Sequence, residues 1–128
     1  GVATMSRVEA DVHTIVQLES LLLNVGGCEE IALMVVEEFL LQVDAQVADI
    51  KTALDAADCA QIRAAAHRHA GSLAAIYAGT AHALAKGIEL AAKEQDLARA
   101  RSLFAQLSVA ENELAACLER WCATRRAH

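Results

Sequence analysis

The sequence predicts an all-α domain: an antiparallel up-down four-helix bundle preceded by one or two short N-terminal helices. The 128 residues contain no proline and only 3% aromatic residues, and this composition favours helices packed through small side chains over β architecture. Apolar residues recur with a helical period in four successive segments, and no segment alternates as a strand would. The length fits a single core. We therefore assign one domain to residues 5–128, after a disordered start at residues 1–4.

Charge and cysteine usage narrow the class of protein. The net charge of −6, without a basic stripe, argues against a nucleic-acid partner. The cysteines lack CxxC spacing, which favours buried reduced thiols over a zinc site or disulfides; they are Cys28, Cys59, Cys117 and Cys122. No segment has the form of a signal peptide, and the most apolar window, residues 73–92, carries His82, Lys86 and Glu89. We expect a cytoplasmic protein with no membrane insertion.

The N-terminal part of the chain predicts short helices followed by a long one. Ser6 and Glu9 have the spacing of a capping box, and a second helical stretch at residues 18–24 is ended by the glycines at 26–27. A long amphipathic helix starts at Glu29, with acidic residues between the members of its apolar stripe. The residues predicted to be buried on it are Ile31, Val35, Phe39, Val43, Val47, Ile50 and Leu54.

Three further helices follow, each with a recognisable start. Asp58 with Gln61 opens the first, Gly79 with Thr80 the second, and Asp96 caps the third. Short connections make consecutive helices antiparallel neighbours. Their predicted inward stripes are Ile62, Ala66, His69, Leu73 and Ile76; Ala81, Leu84, Ile88 and Ala91; and Leu103, Leu107, Ala110, Leu114, Leu118 and Trp121.

The run from Ala66 to Ser72 places two histidines in different environments. His69 lies on the buried stripe, whereas His67, two residues earlier and about 200° around the helix, points to solvent. The residues one or two turns away from His67 are Arg63, Ala64, Ala70, Gly71 and Ala74. A glycine at a helix centre costs roughly 1 kcal/mol relative to alanine. We infer that a partner approaches this face closely.

The turn near residue 78 predicts which residues face His67 from the next helix. Residues equally far from a helical hairpin turn lie level with each other, which places His67 level with Glu89 and Leu90. Lys86 and Lys93 lie one turn on either side of Glu89. A carboxylate in this place would hold the imidazole tautomer, and a lysine would meet an anion on the ring.

These residues resemble the histidine-containing phosphotransfer (HPt) domains of two-component phosphorelays. The family carries His-x-hydrophobic-Lys-Gly-Ser on a helix, followed by a hydrophobic residue, a Gly-Ala pair and a second helix. The matching positions are His67, Gly71, Ser72, Ile76 and Ala78, and the resemblance spans roughly residues 15–122. Three positions depart from the pattern: Ala70 replaces the lysine, His69 the hydrophobic residue and Tyr77 the glycine.

The resemblance implies that His67 accepts a phosphoryl group from a receiver-domain aspartate and passes it to another receiver. The implied partners are a response-regulator receiver domain and a sensor histidine kinase, either separate or a hybrid kinase that includes this domain. No cofactor or metal is expected on this chain, because magnesium belongs to the receiver. The domain would be a phosphohistidine carrier more than an independent enzyme. Partner docking or phosphate tuning is assigned to Arg63, Ala64, Arg68, Ala70, Gly71, Ala74, Lys86, Glu89 and Lys93.

Two other functions stay open at this point. Because the family lysine neutralises the phosphoryl group, Ala70 suggests an HPt-like module that docks a receiver or kinase without accepting phosphate. A metal or haem bundle using His67 and His69 is disfavoured, because side chains two residues apart on a helix point in different directions. The arginines Arg63 and Arg68 have a simpler interpretation too, as solvated charges.

Overall fold

The computed structural model describes residues 7–127, and within this range the chain is helical with no strand. The prediction of an all-α fold is confirmed. The five helices are α1 (Arg7–Asn24), α2 (Glu29–Asp55), α3 (Cys59–Ala75), α4 (Gly79–Lys93) and α5 (Leu97–Arg126).

The N-terminal segment forms one helix of 18 residues where the sequence suggested two shorter pieces. No glycine or proline interrupts residues 7–24, so extending one helix is easier than starting a second. The helix ends where predicted, since Gly26 and Gly27 adopt φ angles of 72° and 77°. The start predicted at residues 1–4 and the cap predicted at Ser6 lie outside the described residues.

Four helices contact one another in a closed ring. The α3 helix packs against α2 and α4, and α5 packs against α4 and α2, while α1 lies against α5 and α2. The connections after α2, α3 and α4 are residues 56–58, 76–78 and 94–96. Connections this short are typical of consecutive helices that pack side by side.

The buried stripe of α2 differs from the prediction in its first two turns. Ala32 and Val36 are fully buried, whereas Ile31 is 45% exposed and Val35 only half-buried. Ile31 and Val35 are four residues apart, and so are Ala32 and Val36. Because the two stripes have the same spacing, periodicity alone cannot tell which of them is buried. From Phe39 onward the predicted stripe is correct, with Val47 half-buried and the other members buried.

The remaining stripes and caps agree with the sequence more closely. All five predicted residues on the α3 stripe are buried, His69 included. Asp58 Oδ1 accepts a hydrogen bond from the Gln61 amide and Asp96 Oδ1 one from the Arg99 amide, each at 3.1 Å. On α5 the unexpected member of the core is Glu111, which is only 4% exposed.

Three helices end on a left-handed residue that is not glycine. Ala57, Tyr77 and Gln95 have φ angles of 53°, 60° and 60°. In each case the amide of this residue and the next one bond back to the carbonyls of the last turn, as in a Schellman motif. Tyr77 thus takes the conformation for which glycine is best suited.

The cysteines only partly follow the expectation of buried thiols. Cys117 and Cys122 are buried, but Cys28 is exposed and Cys59 is intermediate, because both lie at helix starts near the surface. Burial raises the pKa of the Cys122 thiol, and the nearby Glu37 carboxylate adds to this effect.

Across residues 7–127, none of the helices combines the length and the apolar character that crossing a membrane requires.

Candidate functional site

The two histidines of α3 lie on opposite sides of the helix, as predicted. The His67 side chain is 72% exposed, whereas His69 is 0% exposed. His67 contacts α4, and His69 contacts α2 and α5. Because the rings point apart, they cannot share one metal ion.

Glu89 on α4 is the hydrogen-bond partner of His67. Its Oε1 lies 3.0 Å from His67 Nδ1, and its Oε2 accepts a 3.0 Å hydrogen bond from Lys86 Nζ. The Glu89 side chain is 17% exposed. Burial by itself would raise the pKa of this carboxyl, but the hydrogen bonds from Lys86 and His67 outweigh it and lower the pKa below its ordinary value of 4.5. Glu89 is therefore ionised at neutral pH.

This contact determines which ring nitrogen of His67 is nucleophilic. An ionised carboxylate only accepts hydrogen bonds, so the proton of the neutral imidazole lies on Nδ1. The lone pair is then on Nε2, which makes no hydrogen bond within residues 7–127. The geometry gives an exposed imidazole with a fixed tautomer and a free nucleophilic nitrogen.

The α3 surface around His67 is open. Arg63, Ala64, Gly71 and Ala74 are all exposed. A Cβ built on Gly71 meets nothing within 4 Å, so no other part of the described chain requires a glycine at this position.

One member of the predicted face lies elsewhere. Ala70 is 2% exposed and belongs to the core, so the expectation that its methyl group lines the open face is corrected. Three residues beyond His67, its Cβ turns toward the neighbouring helices instead of solvent.

The four predicted cations near His67 differ in whether they are already paired. Lys86 is bound to Glu89, and Arg68 Nη1 lies 3.6 Å from Asp49 Oδ2. Arg63 and Lys93 are exposed and form no ion pair with the residues that the structure describes. Arg63 precedes His67 by one helical turn and so shares its face.

An apolar groove adjoins this face between α2 and α3. It has a volume of about 450 Å³, and Met34 at its edge is 62% exposed. The α3 side of the groove includes Ser72 and Ala75, next to Gly71. Its lining residues are Ile31, Met34, Val35, Glu38, Phe39, Gln42, Ser72, Ala75 and Ile76.

Sequence reasoning missed the partners of His69. Its Nδ1 lies 2.7 Å from Gln46 Oε1, its Nε2 is hydrogen-bonded to Glu111 Oε1, and its ring stacks on Phe39 with centroids 6.4 Å apart. A histidine on a buried stripe must find polar partners. That requirement signals that partners exist, but the pairing across α2, α3 and α5 depends on tertiary packing.

The sequence model of the Hpt domain family matches residues 34–124. Since this range covers most of the chain and contains the His67 face, the chain belongs to the Hpt domain family. The resemblance based on the histidine motif is thus confirmed. Hpt domains are phosphotransfer histidine carriers of two-component systems, where they interact with receiver domains and kinases. No curated protein and no solved structure matches the chain.

Proposed function

We propose that His67 is the phosphoacceptor of this domain and that it relays a phosphoryl group between the aspartates of two receiver domains. The observation that carries the proposal is the hydrogen bond between His67 Nδ1 and Glu89, which leaves Nε2 of a 72% exposed imidazole free. A phosphoryl carrier needs an accessible nitrogen nucleophile in its neutral form. The exposed ring of His67 meets the first requirement, and the contact of Nδ1 with Glu89 leaves the Nε2 lone pair of the neutral ring facing outward.

In the forward step, the Nε2 lone pair attacks the phosphorus of an aspartyl phosphate. The N–P bond forms as the P–O bond to the aspartate breaks, and the aspartate leaves as a carboxylate. The ring retains its Nδ1 proton and becomes positively charged. In the second step, the carboxylate of another receiver attacks the phosphorus and His67 returns to the neutral imidazole.

Glu89 assists by holding the tautomer and by balancing this charge. Its carboxylate lies against Nδ1–H before transfer and against the charged ring after it. A charge-assisted hydrogen bond is stronger than a neutral one, so the contact strengthens as the N–P bond forms. An interaction that is stronger in the transition state than in the ground state accelerates the step.

The proposed receiver-docking surface is the α3 face around His67 together with the apolar groove between α2 and α3. The ring of contacts formed by α2, α3, α4 and α5, with short connections, supports an antiparallel up-down bundle that holds these two features side by side. Exposed apolar residues such as Met34 and Ile31 would be covered by apolar side chains of the receiver.

The charge on the phosphoryl oxygens has two proposed sources of compensation. On this chain Arg63 is the best-placed cation, because it forms no ion pair with the described residues and is one turn from His67, whereas Lys86 is engaged with Glu89. On the receiver, a magnesium ion would neutralise part of the same charge. We propose no cofactor on this chain, a cytoplasmic location, and a sensor histidine kinase at the start of the relay.

Phosphotransfer from a labelled receiver tests the proposal. The wild-type domain should become labelled in an acid-labile, base-stable form, and His67→Gln should abolish labelling while the domain stays folded, because His67 is outside the core. His82→Gln is the matched control, since it removes a different, half-buried histidine on α4 and keeps His67. Labelling that persists in His67→Gln would refute the assignment.

A second function is favoured by one observation, the burial of Ala70 where the family has a lysine. Without that cation, the domain could dock a receiver or kinase and accept no phosphate. A wild-type domain that binds candidate receivers but is labelled by none of them would establish this alternative.

A further inference from the structure

A hydrogen-bonded chain of side chains crosses the core behind His67. Gln46 on α2 bonds to His69 on α3, and His69 bonds to Glu111 on α5. His69 is 0% exposed and the Glu111 side chain 5% exposed. Glu111 Oε2 is buried and has no hydrogen-bond partner among the described residues. The chain therefore places two titratable groups together in an environment without solvent.

The orientation of Gln46 fixes the proton on one side of the ring. Its Nε2 donates to Ser72 Oγ at 3.0 Å and faces Gln42 Oε1 at 3.4 Å, so its Oε1 is directed at His69. An amide oxygen only accepts hydrogen bonds. His69 Nδ1 must then carry a proton, whatever the state of the other nitrogen.

A second proton is needed on the other side of the ring. With Nδ1 protonated, a neutral His69 presents a lone pair at Nε2, and an ionised Glu111 would present another at Oε1. Two lone pairs repel, and the bare carboxylate would be buried without compensation. One further proton between Nε2 and Oε1 removes both problems, whether it belongs to the imidazolium or to the carboxylic acid.

Among the side chains that the structure describes, no other titratable group is placed to take over this role. From α2, His69 meets the uncharged Gln46 and Phe39, and from α5 it meets Glu111. Within residues 7–127, α4 supplies no charged hydrogen-bond or ion-pair partner to either group, and His67 and Arg68 of α3 bond to Glu89 and Asp49 instead.

We infer that His69 and Glu111 share a single proton in the folded core, and that this pair makes the stability of the domain depend on pH at both ends of the scale. In the unfolded chain the two groups titrate separately, near pH about 4.3 for the carboxyl and about 6.5 for the imidazole. Between these values the folded and unfolded chains bind the same number of protons, so the pair adds no pH dependence.

Outside this window the two states differ by one proton. Above pH about 6.5 both groups are deprotonated in the unfolded chain, whereas the folded pair keeps its shared proton. The folded state therefore becomes less stable as pH rises. Below pH about 4.3 the unfolded pair holds two, so stability falls as pH falls. In both directions the folding equilibrium constant changes by about tenfold per pH unit until the folded pair itself titrates.

The experiment compares urea unfolding of the wild type and of His69→Leu/Glu111→Leu from pH 4 to 9. The double variant replaces the pair with apolar residues, which buried sites usually tolerate well. The ratio of the folding equilibrium constant of the wild type to that of the double variant should fall about tenfold for each pH unit above about 6.5. His82→Gln, which removes a histidine and keeps the pair, should follow the wild type. Parallel profiles for wild type and double variant would overturn the inference.

Nitrogen NMR of the wild-type imidazoles tests the shared proton independently, and it can be done even if the double variant does not fold. His69 should keep a slowly exchanging proton on Nδ1, and its ring-nitrogen shifts should not change between pH 5 and 8. A His69 ring that titrates near pH 6.5, or that carries its only proton on Nε2, would overturn the inference. This measurement does not depend on whether His67 accepts phosphate.

Discussion

The carboxylate of Glu89 lies 3.0 Å from Nδ1 of His67, although 22 residues separate the two in the sequence. The contact joins α4 to α3 and assigns different roles to the two ring nitrogens. Nδ1 is held within the domain, and Nε2 is presented to the outside. The reactivity proposed for His67 therefore depends on a residue of the neighbouring helix.

Replacing Glu89 should slow phosphotransfer without unfolding the domain. Glu89→Ala removes a hydrogen bond that involves a charged group, an interaction worth about 1.5–3 kcal/mol. If the full value is realised in the transition state, the rate of labelling by a phosphorylated receiver falls by roughly tenfold to a hundredfold. Glu89→Gln retains an acceptor for Nδ1–H but loses the charge, so its loss should be smaller.

Glu94→Gln is the control for these variants, because it removes an exposed carboxylate at the end of α4. It should transfer phosphate at the wild-type rate. Equal rates for Glu89→Ala and Glu94→Gln would contradict a role for Glu89 in positioning His67.

The lowered pKa of Glu89 makes a prediction about acid stability. Burial opposes ionisation of this carboxyl, but its hydrogen bonds with Lys86 and His67 prevail and keep the folded-state pKa below 4.5. A group with a depressed pKa stabilises the fold above its unfolded value, and this contribution is lost as pH falls through the folded value. The stability difference between wild type and Glu89→Gln should thus be present above pH 4.5 and shrink as pH falls below it. Urea unfolding at a series of pH values measures this difference, and a gap that widens in acid would contradict the assignment.

Gly71→Gln should reduce phosphotransfer without reducing the stability of the fold. Apart from its own helical turn, no atom of the described chain lies within 4 Å of a Cβ at this position, and glutamine is a better helix former by about 0.5–1 kcal/mol. Urea unfolding should therefore show equal or higher stability. Phosphotransfer should fall, because the new side chain stands one turn from His67 on the proposed docking face. Ala105→Gln on the exposed surface of α5 is the control and should leave transfer unchanged. An unaltered transfer rate in Gly71→Gln would place the interface elsewhere.

The residues with positive φ at the ends of the helices predict stabilising substitutions. Ala57 and Gln95 adopt φ angles of 53° and 60°, which cost about 1–2 kcal/mol for a residue with a Cβ. Glycine avoids this strain but gains freedom in the unfolded chain, so Ala57→Gly and Gln95→Gly should each stabilise by roughly 0.5–1 kcal/mol. Ala45→Gly, within α2, should instead destabilise by about 1 kcal/mol. Unfolding free energies measure all three, and destabilisation by Gln95→Gly would show that its side chain makes a contribution larger than the strain.

The sequence predicts features that local rules control and misses those that tertiary packing decides. Helical periodicity alone placed His67 outside and His69 inside, and hairpin symmetry brought Glu89 to His67. The same periodicity could not choose between Ile31 and Ala32 at the start of α2, since both stripes have the spacing. Nor could it find Glu111, because a charged residue beside an apolar stripe is ordinarily solvated.

Replacing Arg63 tests whether this arginine neutralises the phosphoryl group in place of the family lysine. It lies one turn before His67, is exposed, and forms no ion pair with residues of the described chain, so its guanidinium is free to meet the phosphoryl oxygens. Arg63→Ala should shorten the lifetime of the phosphohistidine, or shift the transfer equilibrium toward the receiver, by up to roughly fivefold, the upper range of an exposed charged contact. Arg63→Lys should retain part of the effect, because the charge stays while the bidentate geometry is lost.

The difference between wild type and Arg63→Ala should diminish as salt is added, since exposed charges are screened. Arg99→Ala, an exposed arginine on α5, controls for net charge, and a lifetime that changes equally in both variants would show that Arg63 acts only through the overall field.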